Sequence, residues 1–283
     1  MSPIKRSDSI HSSDTPILEK HEFLWIKEYL YKRAGISLND SKQALVCGRL
    51  EKRLRYYHLT SYSEYFRLLD KPGYEQETLM AVDLLTTNET YFFREEKHFE
   101  FLKSQFFPNH PSNRPIRLWS AASSSGEEAY TLAMLAAEHS KTNQWEIIGS
   151  DISTRVLEKA RKGLYPLSAT EKIPMLFLKK YCLKGCGEFD GFFTIDPILR
   201  NHVKFMYINL IGNLPDIGRF DVIFLRNVMI YFDMQTKQRL LERIQNHLRP
   251  GGYFIISHSE SLNSMKTSLK MLYPSIYQLP EVA

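Results

Sequence analysis

Between Ile17 and Met80 the apolar residues recur at intervals of three and four, the period of helices that each bury one face. Phe23, Ile26 and Leu30, with Trp25 beside them, form the first such stripe, and Ala34-Gly35 marks its end. A second helix, about Lys42–Tyr57, places Cys47, Leu50, Leu54 and Tyr57 on one face. Arg49, Lys52, Arg53 and Arg55 then project elsewhere, where the charges stay in water. A shorter helix at Ser63–Leu69 stops before Lys71-Pro72-Gly73, and another spans Glu75–Leu85. Beyond Pro108–Pro115 the period changes. Short apolar runs at Ile116–Ala121, Trp145–Ser150, Val203–Ile208, Phe220–Leu225 and Tyr253–Ser257 read as strands. Helical runs separate them: one starts near Glu127, one spans Thr154–Lys162 and stops at Gly163, and one spans about Met234–Leu248. Arg249-Pro250-Gly251-Gly252 reads as a tight turn, and Leu269–Leu279 as a closing strand pair. Residues 164–202 break this rhythm and predict a small inserted antiparallel sheet. Residues 1–16, serine-rich and without period, read as a disordered leader. The pattern therefore predicts an all-helical domain at 17–85, a linker at 86–107 and an α/β domain at 108–283, with the insertion at 164–202.

Composition narrows the class. A hydrophobic fraction of 43% supports a packed core, no apolar run has the length of a membrane span, and the start is polar rather than a signal peptide. Three cysteines are too few for a disulfide framework, which points to the reducing cytoplasm. Cys182 and Cys186 lack a second pair at ligand spacing, so no metal site is expected. The net charge of +5 is unevenly placed: the segment from Lys32 to Arg55 accounts for all of it. A local basic patch implies an acidic partner surface. It occupies one helix and is not interleaved along the second domain, which argues against nucleic acid.

The candidate chemistry centres on IRLWSAASSSGEEAYTL, Ile116–Leu132. A strand enters small residues, Ser120–Gly126, and then a helix, the opening of a nucleotide-type βα unit. Small residues let the backbone approach a ligand closely. A phosphate binder wants bare amides at that turn, yet Glu127 and Glu128 stand there. An acidic turn suits a ligand with cationic character, and S-adenosylmethionine is the obvious candidate. Asp151, Asn209 and Arg226-Asn227 all fall at carboxyl ends of predicted strands, where open α/β sheets bind ligands. Asp151 is placed to meet ribose hydroxyls, or else caps the helix that follows. Tyr91, Phe92 and Phe93 with Arg94 read, from the residues alone, as a linker pinned by its aromatics; the alternative is a linker that also lines a ligand cleft, with Arg94 holding a carboxylate.

Five segments then carry a resemblance: TTNETYFFRE (86–95), WSAASSSGEEAY (119–130), SDISTRVLEKARKGLY (150–165), FLRNVMIYFD (224–233) and LRPGGYFIISHSES (248–261). In this order, behind a basic helical module, they resemble CheR-type chemoreceptor glutamate O-methyltransferases. The resemblance runs from about Tyr29 to the end of the chain. It implies a Rossmann-like methyltransferase domain with an inserted β subdomain, S-adenosylmethionine as cofactor and S-adenosylhomocysteine as product. It places the cofactor against Asn88, Thr90, Arg94, Glu128, Asp151, Asn209, Leu210, Arg226 and Asn227. It thereby favours the cleft-lining reading of the linker, and Glu128 over Glu127. The chain departs from the family pattern at Ser125 for Thr, Ala129 for Pro, Leu225 for Cys and Ser257 for Gly; none removes a polar group assigned to the cofactor.

The implied reaction is methyl transfer from a sulfonium to glutamate side chains on the cytoplasmic helices of chemoreceptors. A glutamate with a pKa of about 4.3 is ionised at neutral pH and needs no general base, so catalysis rests on alignment and desolvation. Arg94 and Tyr231 are the candidate catalytic residues. Tyr231 would orient the acceptor or face the methyl group, and reads equally as a core aromatic. Arg49, Lys52, Arg53 and Arg55 would bind the acidic substrate. His98, His202 and His258 read as structural. The chain is expected to act as a monomer, with no membrane insertion. Two other classes compete: a methyltransferase for nucleic acid or small molecules, and a module that senses S-adenosylmethionine without turnover.

Overall fold

A computed structural model describes residues 16–281. The expected leader therefore lies, apart from Pro16, outside the described residues. Four helices form the first domain: α1 (Lys20–Ala34), α2 (Gln43–Tyr56), α3 (Tyr62–Leu69) and α4 (Glu75–Leu85). A capping box between Glu19 and Glu22 opens α1, and Gly35, at φ 71°, ends it in the left-handed region. The domain packs around Phe23, Ile26, Leu30, Leu50, Leu54 and Tyr65. Trp25 stacks on both Tyr29 and Phe66, at ring-centroid distances of 4.7 and 4.4 Å. On α2 the buried residues are Val46, Leu50 and Leu54, while Cys47 and Tyr57 are half-buried, so the inner face is turned slightly from the expected one.

The linker leads into α5 (Glu96–Phe101), a π-helical stretch at Leu102–Phe106 and the short α6 (Phe107–Asn109). The contiguous aromatics divide: Phe92 is buried, Phe93 packs against the same core, and Tyr91 stays exposed.

The second domain follows as β1 (Ile116–Ala121), α7 (Glu127–His139), β2 (Trp145–Asp151), α8 (Thr154–Lys162), β3 (Leu164–Pro166), α9 (Met175–Tyr181), β4 (Cys182–Lys184), β5 (Phe192–Ile195), α10 (Pro197–Arg200), β6 (Val203–Tyr207), β7 (Phe220–Leu225), α11 (Met234–Asn246), β8 (Leu248–Ile256), β9 (Lys270–Tyr273) and β10 (Ile276–Gln278). The large sheet has the order β6-β2-β1-β7-β8-β10-β9. Its first five strands are parallel, and the β9–β10 hairpin runs antiparallel beside β8. β1 and β7 lie at its centre and are almost wholly buried, as their unbroken apolar runs require. One core cluster includes Leu118, Leu132 and Phe224, and another Trp119, Ile223 and Leu241. The insertion forms a separate antiparallel sheet, β3-β5-β4.

One expected element differs. Arg249–Gly252 is not a turn ahead of a strand but part of β8 itself. The register against β7 slips between Phe220 and Val222. Gly251, at φ 76°, takes the bend, and the segment exchanges backbone hydrogen bonds of 2.9 Å with Leu279. A chain neighbour on each side makes this segment a bulged strand.

The domains meet through a continuous seam. Asn209 Nδ2 donates to the Arg33 carbonyl (2.8 Å), Ser37 N to the Tyr231 carbonyl (2.8 Å) and Tyr31 Oη to Asp233 (2.7 Å). Asp83 on α4 accepts from the Arg155 backbone N–H in the first turn of α8 (3.3 Å). Gly35 sits so close to the second domain that a Cβ there would lie 2.5 Å from Ile211 Cγ2.

Candidate functional site

The strand ends of β1, β2, β6 and β7 converge on a cavity of about 450 Å³. Ile36, Asn39 and Leu45 of the helical domain form one wall, and Glu128, Asp151 and Leu210 of the α/β domain another. Such a volume falls in the usual range for small-molecule sites, about 300–1,000 Å³.

The turn after β1 is held in a sparsely populated backbone. Ala122, Ser124 and Gly126 have φ of 131°, 47° and 97°. At Gly126 the absence of a side chain is obligatory, since a Cβ would lie 2.9 Å from that of Ala160. Ser123 N donates to the Ser150 carbonyl (2.8 Å), and Ser124 Oγ to the Asn88 carbonyl (2.9 Å), which ties the linker to the turn.

The two glutamates diverge. Glu128 lines the cavity and accepts from Ser120 Oγ (2.7 Å) and Arg226 Nη1 (2.9 Å). Glu127 turns into the protein, accepts from Ser125 Oγ (2.8 and 3.0 Å), and is pushed by burial up to a pKa of about 7.

Asp151, at the end of β2, also lines the cavity. Its oxygens accept from the Ser124 and Ser153 backbone amides, both at 2.9 Å. Burial raises its pKa to about 6, with the nearby Asp83 adding to the shift and the amides opposing it. The cap of α8 is Ser153, which accepts from Val156 N, so Asp151 is not that helix's cap.

Asn88, Thr90, Arg94, Asn209, Leu210, Arg226, Asn227 and Tyr231 border the same cavity. Arg94, Asn209, Arg226 and Asn227 are held by local contacts. Arg94 Nη1 donates to the Glu89 carbonyl (2.7 Å), and its guanidinium lies over the Tyr91 ring. Asn209 gives its amide nitrogen to the first domain, and its Oδ1 accepts from Ile211 N (3.2 Å). Arg226 is buried: it holds Glu128, donates to the Arg94 carbonyl and lies 3.5 Å from Glu95. Asn227, at φ 59°, donates to Ser257 Oγ (2.8 Å). The half-buried Glu260 clamps the turn after β7 by accepting from the amides of Asn227 (3.1 Å), Ile230 (3.3 Å) and Ser257 (2.9 Å).

The basic helix departs from its sequence reading. Lys52 and Arg55 are exposed. Arg53, however, grips the buried Glu77 with two guanidinium nitrogens, an anion also bound by Tyr65 Oη (2.6 Å). Arg49 donates to the Thr86 carbonyl (2.8 Å). Two of the four charges thus do not stay in water, because a buried carboxylate and a carbonyl at the end of α4 need their donors.

Sequence reasoning missed Ser124, Glu95, His98 and the α1–α2 connection as neighbours of the site. The Ser124 bond could have been sought from its small-residue turn. The others become adjacent only through long-range packing.

A family model described as the CheR methyltransferase SAM binding domain matches residues 88–277, and one described as the CheR methyltransferase all-alpha domain matches residues 21–86. Chemotaxis protein methyltransferase 2 of Pseudomonas aeruginosa is 41% identical over 261 residues, covering 91% of this chain and 92% of that protein. The chemotaxis protein methyltransferase of Escherichia coli is 38% identical over 267 residues, with 93% and 92% covered. That of Borreliella burgdorferi is 35% identical over 272 residues, with 92% and 95% covered.

Proposed function

Because the chain belongs to the CheR methyltransferase family, whose catalytic domain binds S-adenosylmethionine, we propose that it methylates glutamate side chains of chemoreceptors, forming methyl esters and S-adenosylhomocysteine. The observation that carries the residue assignments is the cavity between the two domains, with separate anionic, cationic and apolar stations on its wall. That donor set fits the cofactor. Asp151 would accept from the ribose hydroxyls. Arg94, with guanidinium N–H groups beyond the one used on Glu89, would pair with the methionine carboxylate. Glu128, held by Ser120 and Arg226, would give a sulfonium or an amino group a carboxylate partner. Asn88, Thr90, Asn209, Leu210, Arg226 and Asn227 complete the assignment. When bound, S-adenosylmethionine supplies an activated methyl group.

The chain's own residues then bind, orient and exclude water. An acceptor glutamate arrives ionised, so alignment at about 3–3.5 Å and loss of its water shell are what the protein must provide. Tyr231, whose backbone is fixed by Ser37 N, is assigned to orient that acceptor, and Arg94 serves catalysis through the cofactor's placement. Arg49, Lys52, Arg53 and Arg55 are assigned to the docking face for acidic receptor helices; Lys52 and Arg55 are exposed, Arg55 pairing with Glu51 one turn back, while Arg53 and Arg49 hold the face in place. No helix of the described residues is long and apolar enough to cross a membrane. The proposal is of a monomer acting in the cytoplasm.

Incubation with labelled S-adenosylmethionine and receptor cytoplasmic fragments tests the reading. Base-labile label on receptor glutamates supports it. Base-stable label, or cofactor binding without transfer to any receptor, would count against it.

A further inference from the structure

Glu95, His98 and His258 converge beside Arg226, which lies 3.5 Å from Glu95. Glu95 precedes α5, His98 lies in its first turn, and His258 follows β8. Ser275, in the turn between β9 and β10, lies between the two imidazoles. Its Oγ is 2.6 Å from His98 Nε2 and 3.1 Å from His258 Nδ1, and it donates to the Pro274 carbonyl at 2.5 Å.

Proton accounting follows from this geometry. A hydroxyl has one proton, and Ser275 gives it to Pro274. With its proton so placed, Ser275 Oγ is an acceptor for both imidazoles. A neutral His98 then carries a lone pair on Nδ1, and a neutral His258 one on Nε2. Both atoms face the same carboxylate oxygen: His98 Nδ1 lies 3.6 Å from Glu95 Oε2, and His258 Nε2 lies 3.9 Å from it. The three lone-pair atoms lie within 4.8 Å of one another. His98 is fully buried, and its Nδ1 has no hydrogen-bond partner.

We propose that Glu95 Oε2, His98 Nδ1 and His258 Nε2 form a binding site for a divalent transition metal, with Zn²⁺ the best match. Two imidazole nitrogens and one carboxylate oxygen are a donor set that suits zinc, with water as fourth ligand. Ser275 is the outer acceptor that ligating histidines normally have on their other nitrogen. Bonds of about 2.0–2.2 Å require the three atoms to draw together. His258, with 43% of its side chain exposed, supplies both the movement and the entry path. Arg226 shares the same carboxylate, which lowers the affinity but does not occupy the histidine nitrogens. A bound metal would pin the first turn of α5, just after Arg94, to the end of β8.

The test titrates chelator-treated, full-length protein with Zn²⁺ and separately with Co²⁺. One metal per chain is expected, with a Co²⁺ spectrum that lacks a thiolate charge-transfer band, since Cys47, Cys182 and Cys186 are the competing donors. His258→Ala should weaken Zn²⁺ binding by more than the roughly 10–100-fold typical of an outer-shell loss, and Ser275→Ala by about that amount. Should His258→Ala fail to fold, Ser275→Ala carries the comparison. Zn²⁺ affinity unchanged in these variants, a thiolate band, or no binding by wild type would overturn the site.

Discussion

Glu127 and Glu128 are adjacent in the chain and end in opposite surroundings, one buried with Ser125 and the other on the cavity wall. The consequences are measurable. Glu127 is raised from an unfolded value near 4.5 to about 7 in the fold. Its favourable, protonated state is fully present below about pH 4.5, and the stability it contributes is lost as pH rises through about 7. Glu127→Gln is therefore expected to be more stable than wild type at pH 8, by about 1–3 kcal/mol, with the advantage shrinking toward pH 5; denaturant melts at the two pH values check this. Asp151→Ala is expected to weaken cofactor binding by about 1.5–3 kcal/mol, the range for hydrogen bonds to a charged group. With the pKa of Asp151 at about 6, wild-type affinity should also fall below pH 6, and the alanine variant should lose that dependence; calorimetry across pH 5–8 decides. At this scale the sequence was legible only in part. It marked Asp151 and the acidic turn by position. It did not choose between the glutamates, because the first turn of α7 is oriented by contacts with Ser120, Ser125 and Arg226 that the chain order does not display.

Helix α2 carries most of the charge excess, and its residues divide by what lies opposite them. Arg53→Glu would place a carboxylate against the buried Glu77, and breaking a buried pair costs about 3–5 kcal/mol. That variant would report on folding as much as on docking. Lys52→Glu and Arg55→Glu are the cleaner probes. They are expected to lower kcat/KM for receptor while leaving cofactor affinity unchanged, and raised salt should depress the wild type more than either variant, since steering charges are screened over about 8 Å. Equal salt dependence would return the helix to a solvated surface. Helix and strand boundaries were largely readable, because their periods depend on local burial: α8 ends at Gly163, in the left-handed region, as read. The segment Arg249–Gly252 was misread as a turn because proline and two glycines usually make one; here Leu279 and β7 hold it as a bulged strand. The metal-ligating trio was invisible for a related reason: Glu95 and His98 stand three apart, but only long-range packing brings His258 to them.

Across the whole molecule, the fold class could be read from the change in period: an all-helical domain ahead of an α/β domain that carries a small antiparallel sheet, as found. The seam between the domains could not, since it pairs residues such as Arg33 with Asn209 and Tyr31 with Asp233. Gly35 is its tightest point. Gly35→Ala adds a methyl 2.5 Å from Ile211 in a backbone that disfavours it. It is expected to lower stability by about 1–3 kcal/mol, seen as a reduced unfolding midpoint, and to weaken cofactor binding as well. The cavity's two walls have one more consequence. A molecule lodged between Ile36 and Leu45 on one side and Asp151 and Leu210 on the other touches both domains at once, in a cavity that is not sealed from solvent. Release of the spent donor then depends on how tightly the two halves hold it. If that release sets the pace, turnover under saturating substrate should slow as the medium is thickened with sucrose, whereas a single round of transfer from preloaded protein should not. Each departure would then work like an escapement: the pace at which modification accumulates on the receptors is set by how often the two walls let go.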